Sequence, residues 1–440
     1  MRRTFRFEKA YHYRITAQRS ASPGCGAFHG NPSILRLLHT SDWHLGQHFM
    51  GKSRQAEHRA FIDWLAAQAA GCQADAVLVA GDVFDTSAPP SHARELYHRA
   101  VLALREAGSE LVVLGGNHDS VAVLGESRAL LAQLGTRVVP CAADHLEEQV
   151  LVLRKRTGGP GAVLCAVPYL RARELLLSLP GESAQDKRQA LQQAIRAHYH
   201  ALFGLARERS ESLGGLPIVA TGHLATVGAS GGEAVREIYV GTLEAFPTDA
   251  FPPADYIALG HIHQPMKVGG QEHIRYCGSP IALGFDEAGQ RKEVLQVDFD
   301  LAGLQAVTAL PVPCFQPMAS LRGTLQELAT ALGQAAAAGT AEMPVWLDVE
   351  VAGDDYLASL QARIAAMAEG LPVEVLRVRR ARAGAAPALA PVARETLDEL
   401  DPAEVFQRRL GTESIDEALR ERLAALHGRV LSGLREEGAA

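Results

Sequence analysis

The 440-residue chain lacks the sequence features that mark several large protein classes. No apolar run approaches the ~20 residues that a membrane-spanning helix needs, so we expect no membrane span. The cysteines form no C-x-x-C pair and show no regular spacing, which argues against a zinc ribbon or a disulfide framework. We therefore expect reduced thiols in a cytosolic protein. The six cysteines are Cys25, Cys72, Cys141, Cys165, Cys277 and Cys314.

Positive charge is scarce beyond the first 33 residues. The formal net charge is -7. Residues 1–33 contain six basic side chains and one acidic side chain, so they contribute +5 and leave -12 for the remainder. An acidic body argues against non-specific coating of DNA. It does not exclude a nucleic-acid substrate, because bound metal cations can dominate the local field.

Residues 1–33 also lack a regular hydrophobic pattern. No apolar segment follows their basic side chains, so they do not form a secretory signal. We expect a disordered tail, or an upstream stretch included by a wrongly chosen start codon. Beyond it, 47% hydrophobic and 21% charged residues in the whole chain are typical of a globular protein. The length predicts two or three domains.

From Ile34 onward, predicted strands alternate with predicted helices. Strands are predicted at 34–38, 75–80, 110–114, 149–153, 162–167, 217–221, 255–259, 274–277 and 294–299. Helices are predicted at 56–70, 91–107 and 185–209. The β-α-β-α-β order at the start of this region places polar residues at the carboxyl ends of strands, where open α/β sheets have their sites. The pattern predicts an α/β protein.

The last third of the chain has a different organisation. Two predicted strands at 345–351 and 373–379, with a helix at 354–368 between them, indicate a smaller α/β domain. The Ala- and Pro-rich segment 381–392 is typical of a linker. Two helices are predicted beyond it. The second has an apolar stripe that either binds a partner or packs on this chain's own core. The stripe consists of Ile415, Leu419, Leu423, Leu426, Val430 and Leu434.

Five predicted strands are followed by side chains able to bind a metal, each beside a glycine that permits close approach. These candidates are Asp42 and His44, then Asp82, then Asn117 and His118, then His223, and finally His261 and His263. Residues at i and i+2 of an extended segment point the same way, so Asp42 and His44 can converge on one point. Any one of these groups alone is more often an ordinary polar residue. Together and in this order they predict a metal site.

Seven of these side chains are enough for two metal ions that share one ligand. One ion can take Asp42, His44, Asp82 and His263, and the second can take Asp82, Asn117, His223 and His261. A mixed nitrogen and oxygen shell without thiolate suits Mn²⁺, Fe²⁺ or Zn²⁺ better than Mg²⁺ or Ca²⁺. Two such ions ~3.5–4 Å apart stabilise the attacking and leaving oxygens of an in-line displacement at phosphorus. We therefore predict a hydrolase of phosphate esters.

His118 is the predicted catalytic residue. It lies one residue beyond Asn117, so its side chain points away from that ligand and towards a substrate. There it can stabilise the charge on phosphorus or protonate the leaving oxygen. Three further residues, His48, Asp85 and Tyr276, are close to ligands in sequence. They either touch the substrate or support the ligands from behind.

The motifs DWHLG, GDVFD, GNHD, GH and GHIH resemble those of the calcineurin-like metallophosphoesterases. The longer segments HTSDWHLGQ, VAGDVFDT, GNHDS, LGHIHQ and RYCGSPI resemble the SbcD family of bacterial nuclease subunits, most strongly between about residues 34 and 300. The resemblance implies a four-layer αββα sandwich with a small α/β capping domain and C-terminal helices. It also implies two Mn²⁺ ions on the seven ligands, with His118 as the catalytic histidine. Asp85 departs from eukaryotic and archaeal relatives, which often have histidine at this position.

The same resemblance implies a function and a set of partners. The protein would cleave DNA in repair, recombination and replication. It would act as a double-strand 3'-5' exonuclease and as a single-strand or hairpin endonuclease. The protein would bind an SbcC-like SMC ATPase subunit, form a homodimer through its nuclease domain, and be cytoplasmic and nucleoid-associated. The implied division is an extension at 1–33, a nuclease domain at 34–305, a capping domain at 306–383, a linker at 384–395 and ATPase-binding helices at 396–440.

Two other functions use the same metal ligands. A metallophosphodiesterase of small nucleotides needs neither the additional domain after residue 308 nor the apolar C-terminal stripe, so both features favour the nuclease. A catalytically silent structural partner would not need all seven ligands and His118, and their joint presence argues against it.

Overall fold

The computed structural model describes residues 35–176, 183–226, 245–352, 360–381 and 422–427. The chain divides into two compact units. The first extends to Gln47 and includes Arg54–Pro280 and Lys292–Val312. The second includes His48–Ser53, Ile281–Arg291 and the described residues from Pro313 onward. The predicted domain limits at 305, 383 and 395 stay a prediction.

The first unit contains two six-stranded sheets with helices between their strands. Its strands are β1 (Leu35–Thr40), β4 (Ala76–Val79), β5 (Glu110–Leu114), β6 (Thr136–Val139), β7 (Val150–Arg154), β8 (Pro160–Cys165), β9 (Ile218–His223), β10 (Tyr256–Gly260), β11 (Met266–Lys267), β12 (Ile274–Tyr276), β13 (Glu293–Asp300) and β14 (Gly303–Pro311). Its helices are α1 (Gln55–Gly71), α2 (Ser91–Glu106), α3 (Val121–Gly125), α4 (Arg128–Gln133), α5 (Ala172–Leu175) and α6 (Ala184–Ser212). Short 3-10 turns occupy Leu146–Gln149, Thr248–Ala250 and Val268–Gly270.

Both sheets have parallel strands at their centres. The first has the order β14-β13-β1-β4-β5-β6, in which β1, β4, β5 and β6 are parallel and the β13–β14 hairpin is added antiparallel. The second has the order β11-β12-β10-β9-β8-β7, in which β8, β9, β10 and β12 are parallel. The carboxyl ends of parallel strands meet at one edge of a sheet, which brings the loops after them together.

The two sheets face each other across a shared apolar core. Leu37 of β1 and Leu78 of β4 lie in one buried cluster with Leu164 of β8 and Val219 of β9. On the other face of the second sheet, α6 contributes buried residues that include Tyr199 to a separate cluster. Helices α1 and α2 pack against each other, and α2 also packs against β5. The predicted α/β class and the αββα layers are therefore confirmed.

The second unit has its own small core. Its strands are β2 (His48–Phe49), β3 (Lys52–Ser53), β15 (Met318–Gly323), β16 (Val345–Val351) and β17 (Val373–Arg380), with helices α7 (Leu325–Ala336) and α8 (Leu360–Ala368) and a 3-10 turn at Phe285–Glu287. β15, β16 and β17 form a parallel sheet. A capping box begins α7, because Thr324 and Glu327 satisfy each other's main-chain nitrogens.

Several predicted segments lie partly or wholly outside the described residues. The extension at 1–33 and the linker at 384–395 are among them. The predicted C-terminal helices at 396–440 are described only at residues 422–427, which are helical. No described helix is both long enough and apolar enough to cross a membrane. The five cysteines within the described ranges are free thiols.

Candidate metal centre

The predicted ligands lie immediately after, or at the end of, five parallel strands of the two sheets. Asp42 and His44 follow β1, Asp82 follows β4 and Asn117 follows β5. His223 is the last residue of β9, and His261 and His263 follow β10. We call these seven residues the candidate metal centre. The strands are mainly apolar and almost entirely buried, and the predicted ligands lie where they end.

The ligand atoms form two compact clusters. Asp42, His44 and His263 offer one ligand atom each, and these three atoms lie within 4.8 Å of one another. Asp82, His223 and His261 form a second group of the same size. All six side chains are buried. Groups of this composition are suited to a divalent ion of the first transition row.

Asp82 connects these clusters, and Asn117 joins the second of them. The Oδ2 atom of Asp82 lies 3.1 Å from His223 Nε2 and 3.7 Å from His44 Nε2, so it is shared between the two groups. The Oδ1 atom of Asn117 lies 2.9 Å from His223 Nε2 and 3.0 Å from His261 Nδ1. The seven predicted ligands are therefore assembled in one place, while their role as ligands stays a prediction.

The backbone at the candidate metal centre is strained. Among the described residues, six non-glycine residues have positive φ, and four of them are predicted ligands: Asp42 at 53°, His44 at 47°, Asp82 at 50° and His261 at 94°. Left-handed φ is unfavourable for residues with a Cβ and persists only where the surroundings impose it. Here main-chain hydrogen bonds do so, since Asp42 N donates to Gly81 O and His44 N donates to Asp82 O. Strain of this kind clusters at functional sites.

Two glycines beside the ligands leave no room for a side chain. A Cβ on Gly116 would lie 2.0 Å from Asp82 Oδ1, and a Cβ on Gly260 would lie 2.0 Å from the carbonyl oxygen of Ala80. Both distances are well below van der Waals contact. These glycines therefore allow the loops after β5 and β10 to approach the loop after β4.

His118 lies beside the candidate metal centre and is held by two hydrogen bonds. Its main-chain nitrogen donates to Asp82 Oδ1 at 2.9 Å, and its Nδ1 donates to the carbonyl oxygen of Asp85 at 2.8 Å. A carbonyl only accepts, so Nδ1 carries a proton. The Nε2 atom makes no hydrogen bond with the described residues and is the nitrogen that remains for a substrate. The ring also contacts that of His44, with 4.8 Å between centroids.

Electrostatics favour positive charge on two ligands of the candidate metal centre, His44 and His223, whereas burial and the neighbouring His223 lower the pKa of His261 to about 3. Burial by itself lowers the pKa of His44, but the Asp85 hydrogen bond and the charges of Asp82 and Asp42 outweigh it and raise the pKa to about 9. Burial likewise opposes the charge on His223, yet Asp82 raises its pKa to about 9. Burial would raise the pKa of Asp82, but the neighbouring histidines hold it well below its ordinary value. Carboxylates that favour protonated histidines also favour a cation.

One buried atom supports the fit of a metal ion to these residues. His44 Nε2 is buried and has no hydrogen-bond partner among the described residues. An orphaned buried polar atom is costly, and a bound cation removes that cost. The donor set of carboxylate, amide oxygen and imidazole without thiolate suits a divalent transition-metal ion. The residues present therefore fit such an ion.

The three further residues singled out from the sequence have different positions. Asp85 Oδ1 lies 3.2 Å from His44 Nδ1. Tyr276 is buried at the end of β12, and its hydroxyl donates to the carbonyl oxygen of Leu224 at 2.6 Å. His48 is exposed on β2 in the second unit. Their predicted contact with substrate stays a prediction.

The sequence analysis missed two residues that hold the loops of the candidate metal centre. The buried carboxylate of Asp119 accepts hydrogen bonds from the main-chain nitrogens of Val83, Phe84 and Gly116. It thereby ties the loop after β4 to the loop after β5. Arg171 donates to the carbonyl oxygens of Gly116 and Asp119. The polar run NHD at 117–119 could have indicated Asp119, but no sequence signal identifies Arg171.

Two family models match the chain. Residues 35–265 match the model described as calcineurin-like phosphoesterase. Residues 314–414 match the SbcD C-terminal model, described as type 5 capsule protein repressor C-terminal domain. The first match contains all seven predicted ligands and His118.

The chain is also similar over most of its length to proteins named as the D subunit of the nuclease SbcCD. It is 52% identical over 404 residues to that of Escherichia coli strain K12, covering 92% of this chain and 99% of that protein. It is 36% identical over 376 residues to that of Rhodobacter capsulatus, covering 80% and 90%. It is 31% identical over 272 residues to that of Bacillus subtilis, covering 60% and 66%.

Proposed function

We propose that this chain is a metal-dependent DNA nuclease subunit, because it belongs to the SbcD family of calcineurin-like phosphoesterases. One observation carries the proposal. Asp82 is shared between two clusters of buried metal-binding side chains, and Asn117 lies against the second cluster. His118 lies next to them with one ring nitrogen free. Two linked cation sites with an adjacent acid suit the hydrolysis of a phosphodiester.

The proposed ligand sets follow from the two clusters. One ion is held by Asp42, His44, Asp82 and His263. The other ion is held by Asp82, Asn117, His223 and His261. We propose Mn²⁺ as the physiological ion, as the resemblance to the SbcD family implies, and the nitrogen and oxygen donors without thiolate are compatible with it. When bound, two such ions lower the pKa of a water molecule and stabilise charge on the attacking and leaving oxygens.

His118 has the geometry of an acid for the leaving oxygen. The carbonyl of Asp85 orients its ring through Nδ1, and the main-chain bond to Asp82 fixes its distance from the candidate metal centre. A protonated Nε2 can then donate to the 3'-oxygen that leaves from phosphorus, or stabilise the charge that develops there. This role requires no change in the metal ligands.

The chain's parts are proposed to have separate roles. Residues 34–305 cleave DNA, as a double-strand 3'-5' exonuclease and a single-strand or hairpin endonuclease. Residues 306–383 cap the nuclease domain, and 384–395 link it to ATPase-binding helices at 396–440. The relatives are named as one component of SbcCD, which supports an SbcC-like SMC ATPase as the partner. We also propose a homodimer through the nuclease domain and a cytoplasmic location beside the nucleoid.

End-labelled duplex DNA tests the proposed activity. We expect shortening of the labelled strand in Mn²⁺ and none after chelation by EDTA. Intact duplex in Mn²⁺, with a hairpin or single-stranded substrate also intact, would contradict the proposal.

A further inference from the structure

Asp85 contacts His44 and His118 through two different groups. Its carboxylate oxygen Oδ1 lies 3.2 Å from Nδ1 of His44, and its carbonyl oxygen lies 2.8 Å from Nδ1 of His118. We infer that Asp85 is a positioning residue, which orients His44 as a metal ligand through its side chain and His118 through its main chain. The inference rests on the proposed function and concerns the same site.

The contact with His44 determines which ring nitrogen is free. An ionised carboxylate only accepts hydrogen bonds, so the proton of a neutral His44 ring lies on Nδ1. The lone pair is then on Nε2, the buried atom that has no hydrogen-bond partner in the described structure. Nε2 also lies 3.7 Å from Asp82 Oδ2. An acceptor behind the ring makes the imidazole a stronger ligand and fixes its orientation.

The negative charge of Asp85 makes direct contact with the substrate, the other role predicted for this residue, less suitable. A phosphodiester is an anion, and a carboxylate placed directly against it would be repelled. The side chain of Asp85 is 28% exposed, whereas that of His44 is 4% exposed. The carboxylate therefore lies between the solvent and the buried ring, with its oxygen turned to the ring. This arrangement is suited to orienting the metal ligand His44 rather than to contacting the DNA substrate.

The two contacts can be separated experimentally. A substitution at Asp85 removes the carboxylate, but every residue retains the carbonyl group that accepts from His118. Asp85→Ala therefore removes support from His44 alone. Asp85→Asn keeps an oxygen that can accept from Nδ1 and removes only the charge. Asp63 is a matched control, because it is an exposed aspartate on α1 whose carboxylate binds Arg99.

The test is calorimetric titration of the full-length chain with Mn²⁺. We expect Asp85→Ala to weaken one of the two binding events about 10- to 100-fold. Asp85→Asn should lose less, because it retains the acceptor, and Asp63→Ala should match the wild type. At saturating Mn²⁺, the KM of Asp85→Ala for duplex DNA should equal that of the wild type.

The outcomes distinguish this inference from the proposed function. Wild-type Mn²⁺ affinity in Asp85→Ala would overturn the positioning role, and an increased KM for DNA in the same variant would indicate contact with the substrate. A wild-type chain that binds no Mn²⁺ would contradict the proposed function and this inference with it. If Asp85→Ala does not fold, Asp85→Leu decides, since it also lacks an acceptor for His44 Nδ1 and unchanged Mn²⁺ affinity in that variant would overturn the inference.

Discussion

The main-chain nitrogen of His118 donates a hydrogen bond to Asp82 Oδ1 at 2.9 Å. The bond connects the proposed acid to the carboxylate shared by the two clusters. It is made by a main-chain atom, so it does not depend on the imidazole. The ring and the candidate metal centre can consequently be altered separately.

Replacement of His118 by alanine should remove catalysis and leave metal binding intact. The proposed proton donor is lost, but the main-chain bond to Asp82 remains. We expect strand cleavage in Mn²⁺ to fall about 10²- to 10⁴-fold, with both Mn²⁺ binding events retained in a calorimetric titration. His98→Ala is the control, because His98 is an exposed histidine on α2. Wild-type cleavage by the His118 variant would refute the catalytic role.

Gly116→Ala should distort the candidate metal centre. Its added Cβ would lie 2.0 Å from Asp82 Oδ1 and 2.2 Å from Asp82 N, so one of the two loops must shift. We expect the free energy of unfolding to fall by about 1–3 kcal/mol, and we expect weaker Mn²⁺ binding. Urea denaturation and calorimetry measure these two effects.

Gly204→Ala is the matched control for this change. Gly204 lies within α6, and a Cβ there would meet no atom within 4 Å. Alanine is the better helix former, so we expect stability to rise by up to about 1 kcal/mol with Mn²⁺ binding unchanged. Equal Mn²⁺ affinity in both variants would show that the close approach at Gly116 is not needed.

His39 should make stability depend on pH. It is fully buried, with Nδ1 3.0 Å from the hydroxyl of Tyr256, and burial lowers its pKa to about 3. Because the pKa is lower in the folded state, the unfolded chain binds the proton first. The contribution of neutral His39 to the free energy of unfolding is therefore complete above pH 6.5 and is lost as the pH falls towards 3.

His39→Gln isolates this contribution from other titrating groups. Between pH 7.5 and 5.5, the wild type should lose about 1.4 kcal/mol more unfolding free energy than the variant. Urea denaturation of both proteins in EDTA measures the difference and removes any effect of bound metal. Parallel pH profiles would contradict the assignment of a depressed pKa to His39.

Deletion of residues 396–440 should abolish binding to an SbcC-like ATPase subunit and leave the nuclease domain folded. The apolar stripe is proposed to pack on partner helices, and Leu426, the one stripe residue described as exposed, has 50% of its surface accessible. Co-purification with the ATPase subunit and a thermal melt measure the two effects. Deletion of residues 1–33 is a control of similar size. Normal co-purification of the C-terminal deletion would indicate that the stripe packs on this chain's own core.

The buried strands were the most predictable part of the fold. Glu110–Leu114 and Val345–Val351 were predicted with the bounds that the structure has. Both are short and mainly apolar, as expected of strands covered on both faces. Strand β14, Gly303–Pro311, was missed because most of its residues are partly or fully exposed and few are large and apolar. Helix α7 and strand β15 were also missed.

The candidate site was predictable from residue types, but its connections were not. Polar residues at successive strand ends identified the seven side chains. The sequence does not specify that Asp119 binds three main-chain nitrogens or that Asp85 lies against His44. Such contacts depend on how two loops from different strands approach each other, and the glycines that permit the approach are common in any loop.

The most direct test of the account is strand cleavage by the full-length chain with and without Mn²⁺. The substrates are duplex, hairpin and single-stranded DNA and a small nucleotide phosphodiester, each assayed in Mn²⁺, in EDTA, and in EDTA followed by excess Mn²⁺. The account predicts cleavage of DNA in Mn²⁺, none in EDTA and recovery on re-addition. Metal-independent cleavage, or hydrolysis of the small diester with all three DNA substrates intact, would contradict it.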